Sequence, residues 1–314
     1  MTSYALGIDL GATNVKGLAV APNGTVLRRE SISTQGPGEA DWQDAVRQVY
    51  RRLRAPAARP PESIGLAAPG LAAPDRRSVR ALPERLKGIE GLVWQEFFQV
   101  SHPVPVLNDA QAALLGEGWQ GAARGAENVV LVTLGTGVGG AVMCDGRLLR
   151  GHLGRAGHLG HLSLDPEGAL DITHTPGSLE DAIGECTLPR RSGGQFHTTR
   201  ELLTACAQGD AVARAVWQQS IKALAAALAS FINLFDPEKI VIGGGIAQAG
   251  PALFEPLEAF LRRFEWLVNG FTVPVVPAAL GEWAGALGAA WQAQRADGGS
   301  PIEHPILDER SAGL

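Results

Sequence analysis

The spacing of apolar residues in the first 120 positions predicts strands and helices. Residues 4–10 form an apolar run that is interrupted only by Asp9 and followed by Gly11, which is typical of a buried strand. Apolar residues three and four positions apart predict a helix over 42–53. Further strands are predicted at 15–21, 25–33, 64–68 and 104–107, and a further helix over 110–119. Asp9 is therefore predicted to lie at the tip of the first strand.

The rest of the chain continues this pattern, except at 151–200. Strands are predicted at 129–134, 139–144, 147–149 and 239–242, and helices over 210–235 and 284–294. Residues 151–200 are rich in His, Gly, Pro and Arg without a regular spacing, so we interpret them as a functional or mobile loop segment. A chain of 314 residues is long enough for two lobes.

Two segments of the chain, 6–24 and 131–146, resemble each other. Each reads as a strand, a glycine- and threonine-rich turn, a second strand and a closing Asn-Gly or Asp-Gly turn, and Gly11 aligns with Gly135. Glycines let backbone N–H groups approach an anion closely, so two such turns can clamp a polyphosphate. Asp9 would then hold a magnesium ion, directly or through water. The alternative is that both segments are simply tight hairpins.

Composition and charge exclude several classes of protein. The chain is 45% hydrophobic and 19% charged, which is typical of a globular protein, and its net charge of −5 argues against sequence-independent nucleic-acid binding. Cys144, Cys186 and Cys206 lie far apart, so we expect neither a disulfide framework nor a cysteine-rich zinc site. The N-terminus lacks a signal-peptide pattern, and the most apolar helix is too short for a membrane. We therefore expect a cytoplasmic protein without membrane or nucleic-acid partners.

The glycine-rich turns do not match the common nucleotide motifs. No GxxxxGK[ST] run occurs, which excludes a Walker A loop. Gly137 and Gly139 begin a GxG pattern, but a strand follows rather than a helix, which argues against a dinucleotide-binding fold. The glycine-rich turns therefore give little support to a nicotinamide-dependent oxidoreductase.

Eight motifs together resemble the ROK family (repressor, open reading frame, kinase) over nearly the full chain. They are GIDLGATNVKG at 7–17, AAPG at 67–70, LNDAQAALLGE at 107–117, TLGTGVGGAV at 133–142, AGHLGH at 156–161, GSLE at 177–180, IVIGGGIA at 240–247 and ALGEWAGALGAA at 279–290. The resemblance implies an α/β, two-lobed actin-like ATPase (ribonuclease H-like) fold, with the ligand cleft between the lobes. It implies a small lobe at 1–120, completed by the C-terminal helix at about 284–314, and a large lobe at 121–283.

Members of this family phosphorylate hexoses and N-acetylhexosamines or act as sugar-sensing repressors. The repressors carry a helix-turn-helix domain before the first strand, and only three residues precede Tyr4 here, so we expect a kinase. The resemblance therefore implies a glucokinase-like or N-acetylhexosamine kinase-like enzyme that uses ATP with Mg²⁺ and forms a homodimer.

By its match to the family, Asp109 is the expected catalytic base. A carboxylate suits this role because it can accept the proton of the attacking hydroxyl. The alternative is that Asp109 is only the N-cap of the following helix. Gly70, Asn108 and Glu180 match sugar-binding positions, and the alternative for Glu180 is an exposed acid at a helix start.

The expected nucleotide site combines the two glycine-rich turns with a third. Lys16 is either a phosphate ligand or a strand-edge lysine. The positions that match phosphate or adenosine contacts are Gly11, Thr13, Gly135, Thr136, Gly137, Gly244 and Gly245.

The chain departs from the family at its zinc site. Family members usually hold zinc with a His and a CxCGxxGCxE run, but Asp171, Thr173 and Ser178 stand at the cysteine positions here. Because soft thiolate ligands are missing, we expect no structural zinc. His161 matches the family's His, and it either contacts the sugar or is simply packed.

A second departure lies beside the sugar. The family pattern AGEIGH has a Glu where this chain has His158, which removes a negative charge and adds a hydrogen-bond donor. We therefore expect a substrate that differs from glucose at carbon 1 or 2, or that is not a simple free hexose. The altered 156–180 segment also motivates an alternative function, a non-catalytic sugar or nucleotide sensor, whereas the intact Asp109 argues against it.

Overall fold

The computed structural model of the chain describes residues 3–11, 13–34, 41–54, 60–82 and 86–296. These residues form two compact units. The first contains the described parts of 1–127, 145–156 and 279–314, and the second contains 128–144 and 157–278. The C-terminal tail and the part of 284–314 after residue 296 lie outside the described residues.

Strands and helices are numbered along the chain. The strands are β1 (Ala5–Leu10), β2 (Asn14–Val20), β3 (Val26–Ser33), β4 (Ser63–Ala68), β5 (Leu71–Ala72), β6 (Val79–Ala81), β7 (Val106–Asn108), β8 (Val129–Leu134), β9 (Val138–Cys144), β10 (Arg147–Leu148), β11 (Lys239–Gly243) and β12 (Val275–Pro277). The α-helices are α1 (Trp42–Arg54), α2 (Trp94–Phe98), α3 (Asp109–Gln120), α4 (Leu179–Ile183), α5 (Leu188–Arg191), α6 (Thr199–Ala207), α7 (Ala211–Phe235), α8 (Pro251–Phe264) and α9 (Ala284–Ala296). Single turns of 3₁₀ helix occur at Leu159–His161, Glu185–Thr187, Ile246–Ala249 and Gly281–Trp283.

The first unit is built on a sheet with the strand order β3-β2-β1-β4-β7. β1 pairs antiparallel with β2 and parallel with β4, and β4 pairs parallel with β7. The predicted hairpin at 4–21 is therefore confirmed, and its register places Asp9 opposite Lys16. Because opposite residues of paired strands point to the same face, both side chains lie on one side of the sheet.

Helix α1 covers one face of this sheet with the apolar residues that predicted it. Its Val46, Val49 and Leu53 are fully buried in a cluster with Ile8 of β1 and Leu66 of β4. Burial of such side chains contributes roughly 1.5–3 kcal/mol each, so this layer stabilises the sheet.

Helix α9 also packs on β1 and β4, and it contacts α3. The approach is so close that a Cβ atom at Gly7 would overlap the carbonyl oxygen of Ala286, and one at Gly288 would overlap that of Ala112. The small residues that characterise the predicted helix at 284–294 therefore serve a tight contact.

Glu117 connects α3 to the segment before α9. Its side chain is fully buried, and its carboxylate accepts hydrogen bonds from the backbone N–H groups of Ala122, Ala279 and Leu280 at 2.7, 3.1 and 2.9 Å. The motif at 107–117 thus ends in a residue that fixes the position of a distant chain segment.

The second unit contains β9, β8, β11 and β12 side by side. β8 pairs antiparallel with β9 and parallel with β11, which confirms the second predicted hairpin. Helix α7 matches the predicted helix and contacts α4, α6 and α8. Across the residues that the structure describes, no helix has both the length and the hydropathy needed to cross a membrane.

The sequence pattern missed several helices of this unit. Helix α8 begins with Pro251 and buries Leu253, Leu257 and Leu261, a four-residue spacing that we did not assign. The segment at 151–200, interpreted as irregular, contains α4 and α5 and the start of α6, which Thr198 caps. Helices of four or five residues bury too few side chains to leave a periodic signal.

Candidate active site

The junction of β7 and α3 presents Asn108 and Asp109. The Asn108 side chain accepts a hydrogen bond from the N–H of Ala110 and donates one to the carbonyl oxygen of Gly70, both at 3.0 Å. Asn108 is thus the N-cap of α3, and the alternative that made Asp109 the cap is wrong. Asp109 is the first helical residue, is exposed, and accepts a 2.8 Å hydrogen bond from the same N–H.

Gly70, whose carbonyl oxygen accepts from Asn108, has a backbone conformation that favours glycine. Its φ is +87°, and a Cβ atom would overlap the carbonyl oxygen of Ala81. The amide of Asn108 keeps a second lone pair and a second hydrogen for a ligand hydroxyl. The first unit therefore brings together two of the residues expected to contact sugar.

Asp9 occupies an unusual electrostatic environment at the tip of β1. Burial, together with the nearby Asp109 carboxylate, raises the pKa of Asp9 from 3.8 to about 7, and Lys16 only partly opposes this rise. The Lys16 Nζ lies 2.9 Å from the Glu282 carboxylate. The Asp9 carboxylate also lies so close to the backbone of Gly285 that a Cβ atom there would overlap it.

The two carboxylates of this unit are oxygen ligands of the kind that magnesium prefers. Mg²⁺ is usually held by one or two carboxylates together with water and substrate phosphates. A cation at Asp9 would relieve the repulsion between Asp9 and Asp109 that the raised pKa reflects. The donor set is therefore compatible with the ion that the resemblance implies.

We expect Asp9→Asn to stabilise the ligand-free protein at pH 8. An acid whose pKa is raised on folding contributes no penalty below its unfolded pKa and destabilises the fold increasingly as pH rises to the folded pKa. A shift from 3.8 to about 7 corresponds to about 4 kcal/mol at 1.4 kcal/mol per unit. Asn removes the buried charge, which stabilises the fold, but it also removes the attraction to Lys16, which offsets part of the gain. We therefore expect the free energy of unfolding to rise by about 1–3 kcal/mol at pH 8 and almost not at all at pH 4.

Denaturant unfolding of both proteins at the two pH values measures this difference. A gain of equal size at pH 4 and pH 8 would contradict the assignment, because a packing effect does not depend on ionisation.

The turn between β1 and β2 exposes Thr13. The N–H of Gly11 donates to the carbonyl oxygen of Asn14 at 3.0 Å, and the N–H of Thr34 donates to that of Thr13 at 2.9 Å. The Thr13 hydroxyl accepts a 3.1 Å hydrogen bond from the Asn14 amide. These bonds hold Gly11 and Thr13 at the connection between β1 and β2.

The turn between β8 and β9 is held by hydrogen bonds from the segment after α4. Within the turn, the N–H of Gly135 donates to the carbonyl oxygen of Gly137 at 2.9 Å. The N–H groups of Glu185 and Cys186 donate to the carbonyl oxygens of Gly135 and Thr136 at 3.0 and 2.9 Å. Sequence reasoning missed these supporting residues because they lie in the segment without a regular pattern.

Glu180 of α4 contacts the same turn. Its Oε2 accepts a hydrogen bond from the N–H of Val138 at 2.9 Å, and a Cβ atom at Gly137 would overlap its carboxylate. Glu180 is half-buried, so the alternative of an exposed acid is wrong. An expected sugar ligand and an expected phosphate turn are therefore in direct contact within the second unit.

We expect Gly137→Ala to weaken sugar binding. The new methyl group has to displace the Glu180 carboxylate, because the opposite side of the contact is backbone. Loss of one charged hydrogen bond to a sugar hydroxyl corresponds to roughly tenfold or more in KM. Steady-state kinetics with sugar as the varied substrate measures it. If the effect of Gly137→Ala on sugar binding acts through Glu180, the double variant with Glu180→Gln will change the binding free energy by much less than the sum of the two single changes. Additive changes would contradict an effect through Glu180.

The turn after β11 lies at the end of β8. Gly244 has a φ of +89°, and a Cβ atom there would overlap the carbonyl oxygen of Leu134, the last residue of β8. A Cβ atom at Gly245 would meet none of the described atoms within 4 Å. The second unit thus places the expected adenosine turn next to the strand that leads into Gly135.

His158 precedes a 3₁₀ turn, and His161 is the last residue of that turn. The Nε2 atom of His158 is buried and has no hydrogen-bond partner among the residues that the structure describes. Burial, and secondarily His161, lower the pKa of His158, so its imidazole is neutral at pH 7 and offers one donor and one acceptor. An orphaned buried nitrogen of this kind is a candidate ligand contact.

The residues at the family's cysteine positions offer no thiolate ligand for zinc. Asp171 lies 2.7 Å from Nδ1 of His161, Thr173 donates its hydroxyl to Asp171, and Ser178 caps α4. Their polar atoms are thus used within the protein. Within the described ranges, no group of three or more His, Cys, Asp or Glu side chains is arranged to hold a metal.

The expected site residues therefore form two groups, one in each unit. The first unit holds Asp9 with Asp109 and Lys16, Asn108 with Gly70, and the turn that contains Gly11 and Thr13. The second unit holds Glu180 against the Gly135–Gly137 turn, His158 with His161, and the turn at Gly244 and Gly245.

Known proteins are similar to this chain in both sequence and fold. A glucokinase of Thermotoga maritima is 32% identical over 307 residues, covering 91% of this chain and 95% of that protein. An N-acetylmannosamine kinase of Vibrio cholerae is 30% identical over 298 residues, covering 91% and 98%.

A solved structure extends this likeness to three dimensions. A ROK family glucokinase from Streptomyces griseus, in complex with glucose and AMPPNP, matches with a TM-score of 0.77 and 27% identity over 93% of this chain and 100% of that chain. The expected two-lobed actin-like fold is confirmed by such matches. The ROK family model matches residues 5–296, and this chain belongs to the ROK family.

Proposed function

We propose that this chain transfers the γ-phosphoryl group of ATP to a hydroxyl of a hexose or N-acetylhexosamine. The relatives named glucokinase and N-acetylmannosamine kinase support this reaction, and so does the glucokinase complex with glucose and AMPPNP. The observation that carries the proposal is the exposed Asp109 carboxylate, fixed at the start of α3 and placed near Asp9.

In this mechanism Asp109 acts as the general base. The acceptor hydroxyl oxygen attacks the γ-phosphorus, its proton passes to the Asp109 carboxylate, and the bond to the bridging oxygen of ADP breaks. The N–H of Ala110 holds one carboxylate oxygen, which leaves the group oriented for the proton. The products are the sugar phosphate and ADP, and the proton leaves Asp109 to solvent.

The remaining residues bind and orient the substrates. The hydroxyl groups of Thr13 and Thr136 can donate to phosphate oxygens, the neighbouring glycines let a phosphate approach the backbone closely, and Lys16 adds a positive charge beside Asp9. Asp9 would hold Mg²⁺, which neutralises phosphate charge when bound. The turn at Gly244 and Gly245 accommodates the adenosine.

The proposed sugar contacts are Asn108 and the Gly70 segment in the first unit, and His158, His161 and Glu180 in the second unit. We further propose that the acceptor differs from glucose at carbon 1 or 2, or is not a simple free hexose. The Nε2 atom of His158, which has no partner among the described residues, supports this, because an imidazole offers a hydroxyl or amide a different pairing from a carboxylate. The family resemblance also leads us to propose a homodimer, which light scattering coupled to size exclusion tests.

An ADP-release assay over glucose, mannose, GlcNAc and ManNAc tests the function and the specificity together. We expect sugar-dependent release with kcat/KM highest for a sugar other than glucose. His158→Glu is expected to raise kcat/KM for glucose relative to that sugar by about tenfold, the size of one hydrogen-bond preference.

An exclusive preference of the wild type for glucose would contradict the specificity proposal. If no sugar supports release although sugars raise the melting temperature, the alternative of a non-catalytic sensor is the better account.

A further inference from the structure

The Asp171 carboxylate is the centre of a hydrogen-bond network that stands where the family has zinc. Its side chain is only 2% exposed, and Oδ2 lies 2.7 Å from Nδ1 of His161. Oδ1 accepts from the N–H of Thr173 at 2.8 Å, the hydroxyl of Thr173 at 2.9 Å and the N–H of Thr175 at 2.9 Å. One carboxylate thus holds together the loop that family members hold together with thiolates and zinc.

The network determines which proton His161 carries. Burial alone would raise the pKa of Asp171, but hydrogen bonds from His161, Thr175, Thr173 and Ser178 outweigh it and hold that pKa well below its usual range. An ionised carboxylate can only accept, so the Nδ1 atom of His161 has to donate. In the neutral imidazole, Nε2 then carries the free lone pair.

The same carboxylate reaches the helix that bears Glu180. Ser178 is fully buried, its hydroxyl helps to lower the pKa of Asp171, and it accepts from the N–H of Asp181 at 3.2 Å as the N-cap of α4. Glu180 follows two residues later and accepts from Val138. Asp171 therefore connects two side chains expected to contact the sugar.

We propose that Asp171 is a positioning residue: its contact with Nδ1 fixes the ring of His161 and places the ring proton on Nδ1. This leaves Nε2 of His161 as an acceptor for a substrate hydroxyl. The inference rests on the proposed sugar-binding role of His161. Fixing a His by a partner at its other nitrogen is the general way in which proteins select a tautomer.

Asp171→Asn in the full chain tests this proposal. The Asn oxygen can keep the bonds to Thr173 and Thr175, whereas its NH₂ group can only donate to Nδ1 of His161, which moves the ring proton to Nε2. We expect KM for the sugar to rise about tenfold, because an acceptor is lost, while KM for ATP stays within about twofold. Asp165→Asn, in an exposed residue of the same segment, is the matched control and should change neither constant.

Long-range ¹H–¹⁵N correlation spectra of histidine-labelled protein report the tautomer independently of activity. The wild type should show His161 protonated at Nδ1, with the signal assigned by its loss in His161→Gln, and Asp171→Asn should show the proton at Nε2. The wild-type measurement does not depend on the variant folding. Metal analysis of the purified wild type should find only substoichiometric zinc.

A wild-type His161 protonated at Nε2 would overturn the proposal, as would an Asp171→Asn variant with unchanged sugar KM or stoichiometric zinc in the purified protein. Failure of the proposed function has a different signature. The wild type would then show no sugar-dependent ADP release, while the tautomer of His161 would still be Nδ1–H.

Discussion

Replacing Asp109 by Asn is expected to lower kcat by about 10²–10⁴-fold, the usual contribution of a general base. Asn has nearly the same shape and keeps an oxygen that accepts the hydrogen bond from Ala110. It cannot take up the hydroxyl proton, so the loss falls on the chemical step. Kd values for the sugar and for a non-hydrolysable ATP analogue should stay within about threefold, since positioning is retained.

The measurement is ADP release at saturating sugar and ATP, with isothermal titration for the two Kd values. Asp44→Asn is the matched control, because Asp44 is likewise an exposed acid in the first turn of a helix of the same unit. Its kcat should equal that of the wild type. An Asp109→Asn enzyme with more than a tenth of wild-type kcat would show that another group accepts the proton.

Glu117→Ala is expected to cause the largest loss of stability, about 3–5 kcal/mol. The truncation leaves a cavity and removes the acceptor for three backbone N–H groups, two of which lie in the segment before α9. Glu117→Gln should lose less stability, because its amide oxygen still accepts hydrogen bonds. Some loss remains because its NH₂ group faces one of the N–H donors.

Urea unfolding followed by circular dichroism measures both changes. Glu62→Ala is the matched control: Glu62 is an exposed glutamate of the same unit and should change stability by less than about 0.5 kcal/mol. If Glu117→Ala is as stable as this control, the carboxylate does not hold the segment before α9.

The parts of the site predictable from sequence are those built from neighbours in the chain. Both glycine-rich hairpins, and Asp109 at the junction of a strand and a helix, have local signals in turn residues and apolar spacing. Even there the capping role belongs to Asn108, since side-chain preferences do not distinguish adjacent Asn and Asp.

The long-range hydrogen bonds could not be predicted from the sequence for a physical reason. Glu117 bonds to N–H groups 162 and 163 positions away, and no local pattern marks such partners. The pairing of Asp171 with His161 spans ten residues of irregular chain, where backbone direction is not set by a periodic element. The loss of the cysteines was visible in the sequence, but the network that takes their place was not.

The discontinuous make-up of the first unit has a consequence for how the protein is made. Helix α9 contacts β1, β4 and α3, so this unit lacks part of its core until the ribosome has released residues 284–296. The second unit is contained in 128–144 and 157–278 and is complete earlier. We therefore expect the second unit to fold before the first, the reverse of the usual N-terminal-first order. A nascent chain stalled before α9 would expose the glycine-lined face of β1 and β4 to chaperones and proteases.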